Sequence, residues 1–140
     1  MRRAGTPSQL RGTTVTEAHR LTLVVVDDDA EVRKALSRLL RSMGHDVRAF
    51  ASAEEFEADP TAADCLILDV RLPGLNGIEL RERIRMRGSS IPIVFITGDG
   101  GPSPRESAGH TIAPSLAKPF DDNELIAAIT QAMSAAQDLR

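Results

Sequence analysis

From residue 21 onward, short β-branched apolar runs alternate with stretches whose apolar residues recur at helical spacing. The first run, LTLVVV at 21–26, predicts a strand buried on both faces, and an i, i+3, i+4, i+7 stripe follows it up to Gly44. The same alternation predicts strands at 46–50, 64–70, 91–97 and 112–117 and helices at 52–59, 77–87 and 121–137. Strands that alternate with helices form a parallel sheet covered on both sides, so the predicted fold class is α/β and doubly wound.

The size and composition of the chain exclude several other classes of fold and function. The 140 residues suit one domain, and 41% hydrophobic residues supply a core. There is no Trp or Tyr, which argues against an aromatic platform for single-stranded nucleic acids. The lone cysteine, Cys65, lies in a predicted strand and is interpreted as a core residue. No apolar run approaches the roughly 18 residues that span a bilayer, so we expect no membrane partner.

The formal charge of −3 is unevenly distributed along the chain. Four arginines against Glu17 give residues 1–20 a net charge of +3, so the remainder carries −6. The basic leader lacks the apolar core of a secretory signal. We therefore expect a disordered leader at 1–20, a single domain at 21–140, a cytoplasmic location and no nucleic-acid binding by this chain.

One stretch departs from the alternation. Residues 98–114 contain four glycines and three prolines and have no apolar stripe, although strict alternation would put a helix there. We interpret this stretch as mostly loop, with a degenerate fourth helix.

Polar residues follow the predicted strands at the edge where ligands of such sheets bind. Asp27 and Asp28 follow the first strand and Asp69 ends the third, while Thr97 and Lys118 follow the fourth and fifth. Several carboxylates in one cleft need a counter-charge, and Mg²⁺ fits this need because it prefers a few carboxylates together with phosphate oxygens. With a hydroxyl and an ammonium beside them, these residues predict a phosphoryl-transfer site in which an aspartate can be the nucleophile.

Each of these residues also has a purely structural interpretation. Asp28 and Glu31 have the spacing of a helix capping box, although either Asp28 or Asp29 could simply cap the helix, and Lys118 alone could be a solvated surface lysine. On the third predicted helix, Glu79 and Arg83 are spaced for an i, i+4 ion pair within a solvated face. The joint occurrence of the strand-end residues in this order favours the functional interpretation.

Four motifs, VVVDDD, LILDVRLPGLNG, VFITG and AKPF, resemble in order and spacing those of the response-regulator receiver domains of two-component signalling. The resemblance covers residues 21 to about 137. It implies a flavodoxin-like sheet of five parallel strands in the order 2-1-3-4-5.

The resemblance also implies roles for individual residues. Asp69 is expected to be the phosphoacceptor, and Thr97 and Lys118 to act with it. The expected ligands of Mg²⁺ are the side chains of Asp28, Asp27 (through water) and Asp69, and the main-chain carbonyl of Arg71. The bond between Lys118 and Pro119 is expected to be cis. The aromatic switch residue of the family is replaced by Ser115, which puts the usual output face in doubt.

The expected function is a phosphoacceptor, not an enzyme, whose donor is a histidine kinase or a histidine phosphotransfer protein. Because no further domain fits in 140 residues, we expect a stand-alone receiver or a fragment that signals to an unknown protein by direct contact. Two alternatives stay open. One is a degenerate receiver that acts as a docking scaffold. The other is a magnesium-dependent phosphohydrolase, which would need a second acid two residues after the nucleophile, where this chain has Arg71.

Overall fold

The computed structural model describes residues 20–59, 62–98 and 114–138. Within them, five strands form one parallel sheet in the order β2-β1-β3-β4-β5. The strands are β1 (Thr22–Val26), β2 (Asp46–Phe50), β3 (Cys65–Asp69), β4 (Ile93–Thr97) and β5 (Ser115–Ala117). The helices are α1 (Ala30–Ser42), α2 (Ala53–Ala58), α3 (Gly77–Met86) and α4 (Asp122–Asp138). The predicted fold class and strand order are confirmed.

Two apolar cores lie on opposite faces of the sheet. Side chains alternate along a strand, so Leu23 and Val25 of β1 face α1 and α4, whereas Val24 and Val26 face α2 and α3. The same alternation in β3 places Cys65 in the first core, where it is fully buried, as expected of a core residue. Burial on both faces explains why the central strands are continuous apolar runs.

The helix caps agree with the sequence at one helix and differ at another. Asp121 and Glu124 have the capping-box spacing in the sequence, and they form the reciprocal box at the start of α4, with bonds of 2.8 and 2.9 Å. The capping box predicted for Asp28 and Glu31 does not form, because Asp29, the other candidate, is the cap of α1 and accepts from the amides of Glu31 and Val32. A shift of one residue leaves Asp28 exposed at the carboxyl edge of the sheet.

A second local prediction is also wrong. Arg83 does not pair with Glu79, which instead forms a capping box with Asn76 at the start of α3. Arg83 and Arg87 both bind the carboxylate of Glu57 on α2, at 2.9 and 3.0 Å. Arg83 therefore pairs with Glu57 on the neighbouring helix and not with Glu79, which lies one turn away on its own helix.

Some predictions concern residues outside the described ranges. These are the disordered leader, of which only Arg20 is described, and the degenerate fourth helix, since residues 99–113 are not described. Among the described residues, no helix has the length and apolar character needed to cross a membrane.

Candidate functional site

The candidate site lies at the carboxyl edge of the sheet, where three strand ends meet. The register aligns Val26 of β1 with Leu68 of β3, so Asp27 and Asp69 follow side by side. Lys118 directly follows β5, and its amide donates to the carbonyl of Thr97 at 2.8 Å. Parallel pairing thus brings together residues that are up to 91 positions apart in the sequence.

Asp27 and Asp69 are held by the same local turn. Oδ1 of Asp27 accepts from the amide of Asp29 at 2.9 Å, and Oδ1 of Asp69 accepts from the amide of Arg71 at 3.0 Å. Such bonds from a residue two positions on are typical of Asx turns. Each turn fixes one carboxylate oxygen and leaves Oδ2 directed to other partners. Both residues are almost inaccessible to solvent, at 0% and 3% exposure.

Lys118 links the two buried carboxylates. Its Nζ lies 3.3 Å from Oδ2 of Asp27 and 3.3 Å from Oδ2 of Asp69. Partial burial lowers the pKa of Lys118, but the charges of Asp27 and Asp69 outweigh burial and leave the pKa raised. Lys118 is therefore a fixed cation, and the interpretation of it as a solvated surface lysine does not hold.

Lys118 compensates the negative charge of buried Asp27 only in part. Burial, with a contribution from the charge of Asp69, raises the pKa of Asp27 to about 6, although the Asp29 amide and Lys118 act against the rise. Its Oδ2 has no hydrogen bond of acceptable geometry from any described residue. A buried carboxylate oxygen that has an ionic contact with Lys118 but no well-directed hydrogen bond favours a site for a further cation.

Three carboxylates are close enough to share such a cation. One oxygen from each of Asp27, Asp28 and Asp69 lies within 4.8 Å of the others. Asp28 and Arg71 also line a cleft of about 380 Å³ at this edge, which is open to solvent. Hard oxygen donors in a partly open cleft fit Mg²⁺, which keeps some of its waters, and the carbonyl of Arg71 belongs to the segment that borders the same cleft.

Thr97 has a different partner in this structure. Its hydroxyl donates to the carbonyl of Leu116 on β5 at 3.3 Å. The structure thus brings together Asp27, Asp28, Asp69 and Lys118, whereas Thr97 is at the predicted strand end with its hydroxyl bound to backbone. The Lys118–Pro119 bond is cis, as expected.

Sequence analysis missed two residues that support the site. Oε2 of Glu54 on α2 accepts the amide of Leu75 at 2.8 Å, which ties the segment after Asp69 to a neighbouring helix. Gly77 packs so closely on β3 that a Cβ there would overlap the carbonyl oxygen of Asp69. The glycine is part of the recognised LPGLNG motif, but no sequence signal connects Glu54 with Leu75.

Comparisons with known proteins agree with this geometry. The family model of the response regulator receiver domain matches residues 23–130 of this chain. Nodulation protein W of Bradyrhizobium diazoefficiens is 41% identical over 121 residues, which cover 84% of this chain and 53% of that protein. The transcriptional regulatory protein FixJ of the same organism is 40% identical over 118 residues, covering 82% of this chain and 58% of FixJ.

A solved structure gives the same result. The structure titled FixJ-N matches with a TM-score of 0.69 and 32% identity, covering 81% of this chain and 93% of that one. The chain spans about half the length of the curated relatives that it matches. On these motifs, this fold and these matches, the chain belongs to the response regulator receiver domain family of two-component signalling.

Proposed function

We propose that the chain accepts a phosphoryl group on Asp69 from a phosphohistidine of a histidine kinase or a histidine phosphotransfer protein. The observation that carries the proposal is the environment of Asp69. One carboxylate oxygen is fixed by the Arg71 amide, and the other is 3.3 Å from the Lys118 ammonium, beside the acidic group of Asp27 and Asp28.

The chemistry follows from these contacts. The carboxylate of Asp69 attacks phosphorus, the P–N bond to the donor histidine breaks, and the electron pair stays on the imidazole. Asp27, Asp28, Asp69 and the Arg71 carbonyl would hold Mg²⁺, whose charge supports phosphoryl transfer when it is bound. Lys118 holds a second positive charge beside the acceptor oxygen. Thr97 would bind a phosphate oxygen after giving up the carbonyl of Leu116.

We also propose that the chain passes on its signal by direct contact with another protein. The partner and the cytoplasmic location are expectations from the family. The relatives that are named transcriptional regulators extend beyond the region matched here. Those names describe those proteins, and the sequence of this chain contains no Trp or Tyr on which bases could stack.

The experiment is intact-protein mass spectrometry after incubation with acetyl phosphate and MgCl₂. The expected result is one phosphoryl adduct on the wild type, lost in Asp69→Asn and lost on addition of EDTA. Asp64→Asn is the matched control, because Asp64 precedes the same strand at its opposite end and its carboxylate accepts the Thr22 amide. It should be phosphorylated like the wild type.

The outcomes separate the alternatives. An adduct that survives in Asp69→Asn would contradict the acceptor assignment, and no adduct on the wild type would favour the docking-scaffold alternative. Turnover of phosphate esters by the wild type would favour the phosphohydrolase alternative.

A further inference from the structure

The β3–α3 segment, residues 70–76, forms much of the cleft at the candidate site. Its residues that line the cleft are Val70, Arg71, Leu72, Pro73 and Asn76. The carbonyl of Arg71, an expected ligand of Mg²⁺, belongs to this segment. Because the segment lies outside the regular strands and helices, its shape depends on the bonds made at individual residues.

Local hydrogen bonds hold both ends of the β3–α3 segment. The Arg71 amide donates to Oδ1 of Asp69 at 3.0 Å, and the Gly77 amide donates back to the carbonyl of Val70 at 3.1 Å. These bonds fix the residues next to the phosphoacceptor and the start of α3. The turn at 73–75 lies between them and is more exposed to solvent.

Glu54 of α2 holds this turn. The Leu75 amide donates to Oε2 of Glu54 at 2.8 Å, and this bond is the main cause of the lowered pKa of Glu54, which keeps the acceptor charged at neutral pH. A Cβ on Gly74 would lie only 2.6 Å from the same oxygen, and the φ of Gly74 is +72°. The carboxylate is thus seated directly on the backbone of the turn, at a residue whose conformation favours glycine.

The helix that carries Glu54 is itself fixed on the molecule. Phe56 is buried and packs edge-on against Phe50 of β2, with ring centroids 5.7 Å apart. Glu57 binds Arg83 of α3 at 2.9 Å. A short helix that is anchored to both the sheet and α3 presents the carboxylate of Glu54 at a set position beside the turn.

We infer that Glu54 is a positioning residue for the magnesium site. Through the Leu75 amide it holds the β3–α3 segment in the shape that keeps the backbone of Arg71 at the cleft. The inference rests on the proposed function, because it concerns Mg²⁺ at the same carboxylates. Groups that orient a metal ligand commonly change the affinity for the metal by about 10–100-fold. Glu54 acts from four positions along the chain, so its removal should weaken Mg²⁺ binding less, by about three- to tenfold.

The charge of Glu54 offers a different explanation for such an effect, since an acid near a cation site attracts the cation from a distance. Two conservative variants separate charge from position. Glu54→Gln loses the charge but keeps an oxygen that can accept the Leu75 amide. Glu54→Asp keeps the charge but is one methylene shorter and loses the bond. If Glu54 acts by position, Glu54→Gln resembles the wild type and Glu54→Asp resembles Glu54→Ala; an effect of charge gives the reverse.

The test is calorimetric titration of the full chain with MgCl₂ at pH 8. Glu54→Ala and Glu54→Asp should bind about three- to tenfold more weakly than the wild type, and Glu54→Gln should stay within about twofold of it. The matched control is Glu55→Ala, which removes the same charge from the same helix but whose carboxylate accepts the Ala51 amide and not the β3–α3 segment. It should also stay within about twofold. Urea unfolding in EDTA verifies that each variant is folded.

The rate of phosphorylation by acetyl phosphate is a second readout. Glu54→Ala should need about three- to tenfold more Mg²⁺ for half of its maximal rate. At saturating Mg²⁺ it should reach the rate of the wild type within about twofold, because the contact between Asp69 and Lys118 is unchanged.

Three results would overturn the inference: an affinity of Glu54→Ala equal to that of the wild type, an equal loss in Glu54→Gln, or an equal loss in Glu55→Ala. Failure of the proposed function looks different. In that case the wild type acquires no phosphoryl group on Asp69, whereas the calorimetric comparison of the variants still decides the role of Glu54.

Discussion

The ammonium of Lys118 lies 3.3 Å from Oδ2 of Asp69, although 49 positions separate the two residues in the sequence. The same ammonium is 3.3 Å from Oδ2 of Asp27. A single cation therefore serves two buried carboxylates, and any metal ion bound by those carboxylates experiences its repulsion.

Replacing Lys118 should leave Mg²⁺ binding intact or strengthen it. In Lys118→Ala the repulsion between ammonium and metal disappears, so at pH 8 we expect an affinity between that of the wild type and about tenfold higher. Isothermal titration calorimetry measures it, with Lys34→Ala as a control that removes an exposed lysine without an ion pair to Asp27 or Asp69. A loss of more than threefold would mean that Lys118 supports the metal.

Mg²⁺ binding should weaken in acid because of Asp27. With a pKa of about 6, Asp27 is largely protonated at pH 5, and proton and metal compete for the same oxygens. The affinity should fall roughly tenfold between pH 7 and pH 5. Asp27→Asn should bind more weakly at pH 7 and show a flatter profile. Parallel profiles for the two proteins would assign the pH dependence to another group.

The same pKa affects the stability of the metal-free protein. Because the pKa of Asp27 is raised above its unfolded value, the folded state binds the extra proton between about pH 4 and 6. The contribution of this group to stability is present below that window and is lost as the pH rises through it. Urea unfolding in EDTA should therefore show that stability falls more steeply from pH 4 to 6 in the wild type than in Asp27→Asn.

Gly77 should not tolerate a side chain. In Gly77→Ala the added Cβ would overlap backbone atoms of Asp69 and Val70, so α3 must move away from β3. We expect the free energy of unfolding to fall by about 1–3 kcal/mol, as in other overpacked sites. Gly98→Ala is the control, because no described atom lies within 4 Å of its new Cβ. Equal stabilities in urea unfolding would contradict the close approach.

Glu54 should restrain the segment between β3 and α3. Its carboxylate accepts the Leu75 amide, and this bond is the main cause of its lowered pKa. In Glu54→Ala, hydrogen exchange of the Leu75 amide should accelerate at least about tenfold, since a bond to a charged acceptor is lost. Glu82→Ala, which removes an exposed acid of α3, should leave that exchange rate unchanged.

His45 should make stability sensitive to pH. Its Nδ1 accepts the Leu21 amide at 3.1 Å and can do so only when that nitrogen carries no proton. Partial burial lowers the pKa of His45, and the charge of Asp46 opposes the shift only in part. The stability from this group is therefore present above about pH 6.5 and is lost as the pH falls below it.

His45→Asn tests this prediction because the amide oxygen can accept the same bond without titrating. Urea unfolding should give similar stabilities for the two proteins at pH 8. At pH 5 the wild type should be less stable than the variant by about 1 kcal/mol, the contribution of one hydrogen bond. An equal difference at both pH values would rule out titration of His45 as the cause.

Local sequence determined much of the molecule. Continuous apolar runs identify β1 and β3 because a strand buried on both faces admits little else, and the capping box of Asp121 and Glu124 follows from residues three positions apart. The aspartates and the lysine of the site were also predictable, since parallel strands bring their carboxyl ends to one edge.

Tertiary structure decided the choice among local alternatives. Asp28 and Asp29 are both possible caps in sequence, and capping-box spacing with Glu31 favours Asp28, but the chain leaves β1 so that Asp29 caps α1 and Asp28 lines the cleft. Arg83 binds Glu57 instead of Glu79 because packing of α2 beside α3 offers a less exposed carboxylate. The bond from Leu75 to Glu54 and the place of Lys118 between two carboxylates likewise depend on distances between elements, which local sequence does not encode.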